Sequence, residues 1–183
     1  MELLDICDEL GDPIGEVIER EVAHREGILH RTSHVWLLRN KYNKVEVLLQ
    51  RRSKDKDSFP DCFDISSAGH IKAGDSFINS AVRELKEELG IDINKEQLID
   101  CGNRRFKFED YFHGHLFKDN QVSKIFVLWC DLDEDKFSFL DHEVSEVKWI
   151  EFDKCYRMVK DDLIKHCIYV EELEIIKEYL SNK

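Results

Sequence analysis

Apolar and polar residues alternate along residues 3–20, with a break at Gly11-Asp12-Pro13. A period of two on both sides of a turn signal predicts a small β-hairpin. A second strand pair is predicted from residues 34–38 and 45–50, joined across Asn40-Lys41-Tyr42-Asn43. Residues 54–60 are charged and read as a loop, 63–67 as a short strand, and 104–108, 124–130 and 146–150 as further strands. Between residues 76 and 89 the period becomes helical. Ile78, Ala81, Val82, Leu85 and Leu89 fall in one stripe at about 100° per residue, Asp75 or Ser76 can cap the start, and Gly90 closes the end. From Phe152 onward the spacing is again helical, with Leu173, Ile175, Ile176 and Leu180 on related positions. Strands mixed with helices in this way predict an α/β or α+β protein built as a mixed sheet flanked by helices.

Composition sharpens this picture. The chain has 183 residues, of which 42% are hydrophobic and 36% charged, enough to bury one core under a charged surface. Eight glycines, two prolines and the lack of repeats leave no linker, so one domain over residues 1–183 is expected. Thirty-nine acids against twenty-seven bases give a net charge of -12, which repels nucleic-acid polymers and anionic membranes. A small anionic substrate would need clustered bases or a bridging cation. The longest apolar run, Ile125 to Cys130, is far shorter than the about 20 residues of a membrane span. Six scattered cysteines without a Cys-x-x-Cys pair fit a reducing compartment, so a cytoplasmic location is expected.

The chemistry concentrates on the predicted helix of residues 76–89. Glu84, Glu87 and Glu88 share a face, with Glu84 three and four residues before the others. Like charges at that spacing cost about 0.2 to 0.5 kcal/mol per pair, and anions near a helix C-terminus oppose its dipole. A hard dication between the carboxylates resolves both conflicts, because Mg²⁺ takes oxygen ligands and is commonly shared with substrate phosphates.

Residues 69–91 read Gly-His-Ile-Lys-Ala-Gly-Asp-Ser-Phe-Ile-Asn-Ser-Ala-Val-Arg-Glu-Leu-Lys-Glu-Glu-Leu-Gly-Ile. This stretch resembles the signature of the Nudix hydrolases, which runs glycine, five residues, an acid, seven residues, then Arg-Glu-aliphatic-x-Glu-Glu-x-Gly-aliphatic. Asp75 stands where the family usually has glutamate, in a place that supports the loop through Arg83. The resemblance implies an α/β/α sandwich around a mixed sheet, with a hairpin extension over residues 1–30, the signature at 69–91 and C-terminal helices over 152–183. It also implies hydrolysis of a nucleoside diphosphate linked to another moiety, or of a related diphosphate ester. Mg²⁺, with Mn²⁺ able to replace it, would be held by Glu84, Glu87, Glu88 and the Gly69 carbonyl. The base would be Glu84 or an acid of the segment Asp141 to Glu146, where the family often adds a glutamate, with Glu143 the leading candidate.

The flanks are similar to a narrower branch, the isopentenyl-diphosphate isomerases. The shared features are the N-terminal hairpin, His30 before Trp36-Leu37-Leu38, Gln50-Arg51-Arg52, Phe59-Pro60 and Gly69-His70. That likeness implies diphosphate binding by Arg51, Arg52 and Lys56, and a second metal held by His24, His30 and His70. The isomerase's reactive cysteine and glutamate are absent, however, with Ala68 and Asn120-Gln121 in their places. Neither alanine nor glutamine exchanges protons at neutral pH. Pyrophosphohydrolysis is the leading expectation. An isomerase-like enzyme and a catalytically silent ligand-binding Nudix module are the alternatives. Residues 54–60 and 112–123 are the loops expected to select the substrate.

Overall fold

The computed structural model of the chain describes residues 2–56, 58–140 and 142–183. Its centre is β3 (His30–Lys41), a twelve-residue strand buried from His30 to Arg39. The predicted turn is a two-residue reversal at Tyr42 and Asn43, both at positive φ of 50° and 59°. That geometry matches the twist of the strands it joins. β4 (Lys44–Arg52) returns antiparallel from Lys44 opposite Lys41. β5 (Phe63–Asp64) and β9 (Val144–Glu151) pair antiparallel with β4, while β6 (Ser67–His70) pairs antiparallel with the first half of β3. On its other side β3 runs parallel to β8 (His115–Trp129), which forms a long antiparallel hairpin with β7 (Ile99–Phe112). The result is a seven-stranded mixed sheet, with a separate two-stranded sheet of β1 (Leu3–Cys7) and β2 (Pro13–Glu19).

Alternation along the strands sends side chains to two cores. Val35, Leu37, Leu48, Phe126 and Leu128 pack on one face against Ala81, Leu85 and Leu89 of α2 (Phe77–Leu89). Trp36, Leu38, Val47, Leu49, Ile125 and Val127 pack on the other against α3 (Phe152–Lys160) and α4 (Val170–Ser181), through Phe152, Cys155, Val159, Leu173 and Ile176. The expected α/β/α layering is therefore present. Ser76, not Asp75, caps α2, its Oγ accepting from Asn79 N at 3.3 Å. At the other end Gly90 takes a φ of 68°, and a Cβ there would fall 1.9 Å from Ser138 Oγ.

The sequence pattern differs from the structure in three places. The predicted strand at 63–67 is two short strands, β5 and β6, bent apart at Ile65 and Ser66. The hairpin extension contains an unforeseen helix, α1 (Arg20–Glu26), only seven residues long and too short to print a period. Residues 112–123, expected as a loop, are mostly β8, and the reversal is confined to His113-Gly114 between Phe112 and His115. Alternation there is hidden because both faces of the hairpin carry polar residues, which tertiary contacts cover unequally.

Candidate active site

A cavity of about 1470 Å³ opens between the signature helix, the β4–β5 loop, α1 and the β7–β8 hairpin. Strand polarity sorts the two arginines that end β4. Arg52 lines the cavity, donating to Ser58 O at 2.9 Å and pairing with Asp64 at 3.1 Å. Arg51 points the opposite way, as successive strand residues must. It pairs with Asp61 at 3.0 Å and Glu146 at 3.3 Å, so both Arg51 and Glu146 stand apart from the cavity wall. Lys56 reaches the cavity from the loop and pairs with the carboxylate of Glu143, which arrives just ahead of β9. Asp141 of the same acidic segment lies outside the described residues.

The signature carboxylates occupy three depths. Glu87 is half exposed and receives Arg83 Nη1 at 2.9 Å. Glu84 lies deeper on the wall beside the same guanidinium, at 2.7 Å. Burial raises its pKa to about 7, against the pull of Arg83 and with a push from Glu87. Glu88 is 2% exposed, behind Ala68. It accepts from Ala68 N at 3.1 Å and from Gln50 Nε2 at 3.4 Å, and burial with the neighbouring Glu84 charge raises it to about 8. Gly69 on β6 faces Glu84 so closely that a Cβ would fall 2.1 Å from Glu84 Cδ, so the bare backbone leaves room for the carboxylate. Carboxylates on one helix face, two of them on the cavity wall with Arg83 beside them and the third buried behind, offer the oxygen donors that suit a hard dication. Arg83 also donates to His70 O at 3.1 Å and so ties α2 to β6. Asp75 does not meet Arg83 as the family pattern implied. Its shorter side chain accepts from Ser76 N at 2.8 Å and Ser80 Oγ at 3.2 Å, inside the first turn of α2.

The histidines, 46 residues apart at their extremes, converge. Ligand atoms of His24, His30 and His70 lie within 4.8 Å of one another. His24 Nδ1 faces Lys118 O at 3.3 Å and His30 Nδ1 faces Ile28 O at 2.8 Å. Donation to those carbonyls leaves each Nε2 with a lone pair turned toward the cluster, which is how backbone oxygens orient metal-binding imidazoles. Burial lowers His24 to about 3, His30 to about 4 and His70 well below its ordinary value, so all three are neutral at pH 7. Asp119 Oδ1 stands 3.7 Å from His30 Nε2, and both atoms are buried without a hydrogen-bond partner. Nitrogen donors with one carboxylate and orphaned lone pairs fit a transition-metal dication. Sequence reasoning stopped at Asn120-Gln121 and missed Asp119, one residue earlier.

A further group was not legible in the sequence. His34, Arg104, Phe106, Tyr169 and Glu172 come from β3, β7 and the C-terminal segment to line the cavity floor beside Ala68 and Gln121. No single spacing rule connects them, because they come from three separate parts of the chain, β3, β7 and the start of α4.

The family model described as NUDIX domain matches residues 28–167. An uncharacterised Nudix hydrolase of Clostridium acetobutylicum is 36% identical over 162 residues, covering 88% of this chain and 76% of its own. An isopentenyl-diphosphate Delta-isomerase of Paenarthrobacter aurescens is 35% identical over 99 residues, 54% of this chain and 52% of that one. The crystal structure of DR0079 from Deinococcus radiodurans superimposes with a TM-score of 0.68 at 19% identity, covering 94% and 98% of the two chains.

Proposed function

The chain belongs to the Nudix hydrolase family, and on that premise we propose that it is a Mg²⁺-dependent pyrophosphohydrolase of a small diphosphate in which the diphosphate bridges to a second moiety. One observation carries the proposal. Glu84 and Glu87 of the signature share a single cavity with Arg52 and Lys56, so carboxylates for a dication face cations for a diphosphate. Glu84, Glu87, Glu88 and the Gly69 carbonyl would hold Mg²⁺, or Mn²⁺ in its place, and the ion would supply charge neutralisation at the phosphates and an acidified water.

The protein's own groups do the rest. Arg52 offers planar donors to phosphate oxygens, and Lys56 offers a point charge once it exchanges its pairing with Glu143. Glu84, on the cavity wall, can take the attacking water's proton only while it does not itself hold the metal. Glu143, on the same cavity wall, is the alternative acceptor. His24, His30, His70 and Asp119 would hold a second metal beside the same cavity. The test is phosphate or nucleotide release from a panel of nucleotides, sugar nucleotides, coenzymes and isoprenoid diphosphates with Mg²⁺ and Mn²⁺. Full activity in excess chelator, or none on any diphosphate, would overturn the assignment.

The histidine cluster and the isomerase relative favour a second reading, isomerisation of an isoprenoid diphosphate. Ala68 and Gln121, which line the cavity, oppose it because neither transfers a proton. Labelled isopentenyl diphosphate with Mg²⁺ should yield no dimethylallyl diphosphate. An enzyme-dependent allylic product would reverse the choice.

A further inference from the structure

The mixed sheet ends on a long strand with one edge open. β7 pairs with β8 along one side, and among the described residues no strand pairs with its other side. Beyond a register shift between Asp100 and Asn103, the stretch from Arg104 to Phe112 runs opposite β8 without interruption and contains no proline. Such an edge presents a row of unmatched backbone donors and acceptors, which proteins ordinarily shorten, cover or bend away. Its side chains alternate. Arg105, Lys107, Glu109 and Tyr111 are exposed on one face of the sheet. Phe106, Phe108 and Phe112 are half-buried on the other, where Phe106 and Phe112 line the cavity and the Phe108 ring packs 5.5 Å from that of Phe59. Among the described residues, neither Lys107 nor Glu109 forms an ion pair within the chain.

We infer that the open edge of β7 is a self-association surface, on which a second copy of this chain pairs antiparallel about Phe108 and joins the two sheets. The occupant follows from charge complementarity. Two copies related by a two-fold axis present the same strand to each other, and directly opposed residues share a face, so the axis passes a residue that stands opposite itself. Centres at Arg104, Arg105, Lys107, Glu109 or Asp110 set a charge against its own kind, and a centre at Phe106 sets Arg105 against Lys107. Like charges directly opposite destabilise a strand pair. Between Arg104 and Asp110 only Phe108 escapes. That centre sets Lys107 opposite Glu109 twice, Arg105 opposite Tyr111 twice and the two Phe108 rings against each other. A lysine on an edge strand ordinarily keeps other strands away, but here its complement stands two residues along the same strand. The charge of -12 on each copy opposes approach, and at physiological salt screening over about 8 Å weakens that repulsion between surfaces while sparing opposed pairs.

The test is sedimentation velocity of the full chain over a concentration series at about 0.15 M salt. The parent should pass from monomer to dimer with rising concentration. Lys107→Glu places like charges at two symmetric positions, as does Glu109→Lys, so each should raise the dimer dissociation constant about tenfold or more. Combining the two substitutions reverses both charges and should restore the parent value. Both residues are exposed, and circular dichroism checks that each variant folds. Hydrogen exchange of the parent gives a measurement that needs no variant, since protection over residues 104–112 should rise with concentration. A parent that stays monomeric up to about 1 mM overturns the proposal. So does a dimer that both single reversals leave unchanged, or one whose exchange over residues 104–112 does not depend on concentration, because the contact then lies on another face. Weakening by both single reversals without recovery in the double variant refutes the pairing about Phe108.

Discussion

Glu84, Glu87 and Glu88 sit on adjoining positions yet meet three environments, and their substitutions should separate accordingly. Glu84→Gln and Glu88→Gln are expected to lower kcat by about a hundredfold or more, the scale of removing a preorganised charge. Folding should survive, because each carboxylate is held above its ordinary pKa by burial and a neutral amide relieves that burial cost. Circular dichroism beside steady-state kinetics checks both parts, and parent-level turnover in either variant would remove that residue from the machinery. Gly69→Ala tests the same place from the backbone side. Its Cβ would overlap Glu84 Cδ at 2.1 Å, so the Glu84 side chain must move. Activity should fall at least about tenfold with little loss of melting temperature, since displacing a positioned group by about 1 Å costs rate out of proportion to stability. An unchanged kcat would show that Glu84 tolerates displacement.

The helices hold the site from both faces of the sheet, and each can be weakened by itself. Leu85 on α2 is fully buried among Leu37, Leu48 and Phe126, so Leu85→Ala should cost about 2 to 5 kcal/mol by denaturant titration. A cost below about 1 kcal/mol would mean that the signature helix docks through its polar contacts instead. α4 docks through Glu172. Burial alone would raise its carboxyl, but His34, Arg104 and Trp36 outweigh burial and hold it down to about 2. A depressed carboxyl contributes stability that is fully present above its ordinary pKa of 4.5 and is lost as pH falls toward 2. The parent should therefore lose stability between about pH 5 and pH 2. Glu172→Gln should be less stable by about 3 kcal/mol at pH 7, because Arg104 is left buried and uncompensated. It should also show a shallower acid slope, so parallel pH–stability curves for parent and variant would contradict the assignment.

At the scale of the whole molecule, a chain with a net charge of -12 gathers carboxylates around the site meant for an anion, so metal and fold should be coupled. Mg²⁺ binds the assembled carboxylates and finds no such site in the unfolded chain. At a concentration of about 100 Kd it should add about 2.7 kcal/mol, or roughly 5 to 10 °C in Tm for a domain of this size. The shift should shrink in Glu87→Gln, whose carboxylate is the most exposed of the three. Scanning calorimetry with and without Mg²⁺ checks this. A shift that persists in Glu87→Gln and vanishes in His30→Ala would move the main metal to the histidine cluster.

Local rules reached as far as contacts within one element extend. The stripe of Ala81, Leu85 and Leu89, a cap at Asp75 or Ser76, the stop at Gly90 and the signature from Gly69 to Ile91 are legible because helix period, capping and motif spacing are properties of neighbouring residues. The first hairpin and the layering of helices on a mixed sheet followed from alternation in the same way. What lay beyond was set by strand polarity and crossing. Two adjacent arginines at the end of one strand diverged, Arg52 into the cavity and Arg51 onto Asp61 and Glu146, because the pleat sends neighbours to opposite faces. The parallel pairing of β3 with β8 set His30 opposite Gln121 and brought Asp119 to the histidines. Packing of α4 under the sheet delivered Glu172 to Arg104, a partner 68 positions away in a chain whose intervening residues carry no trace of the pairing. The identity of the reactive groups belonged to the sequence, and the shape and polarity of the space around them belonged to the tertiary structure, because side chains distant along the chain meet only when the backbone has closed its sheet.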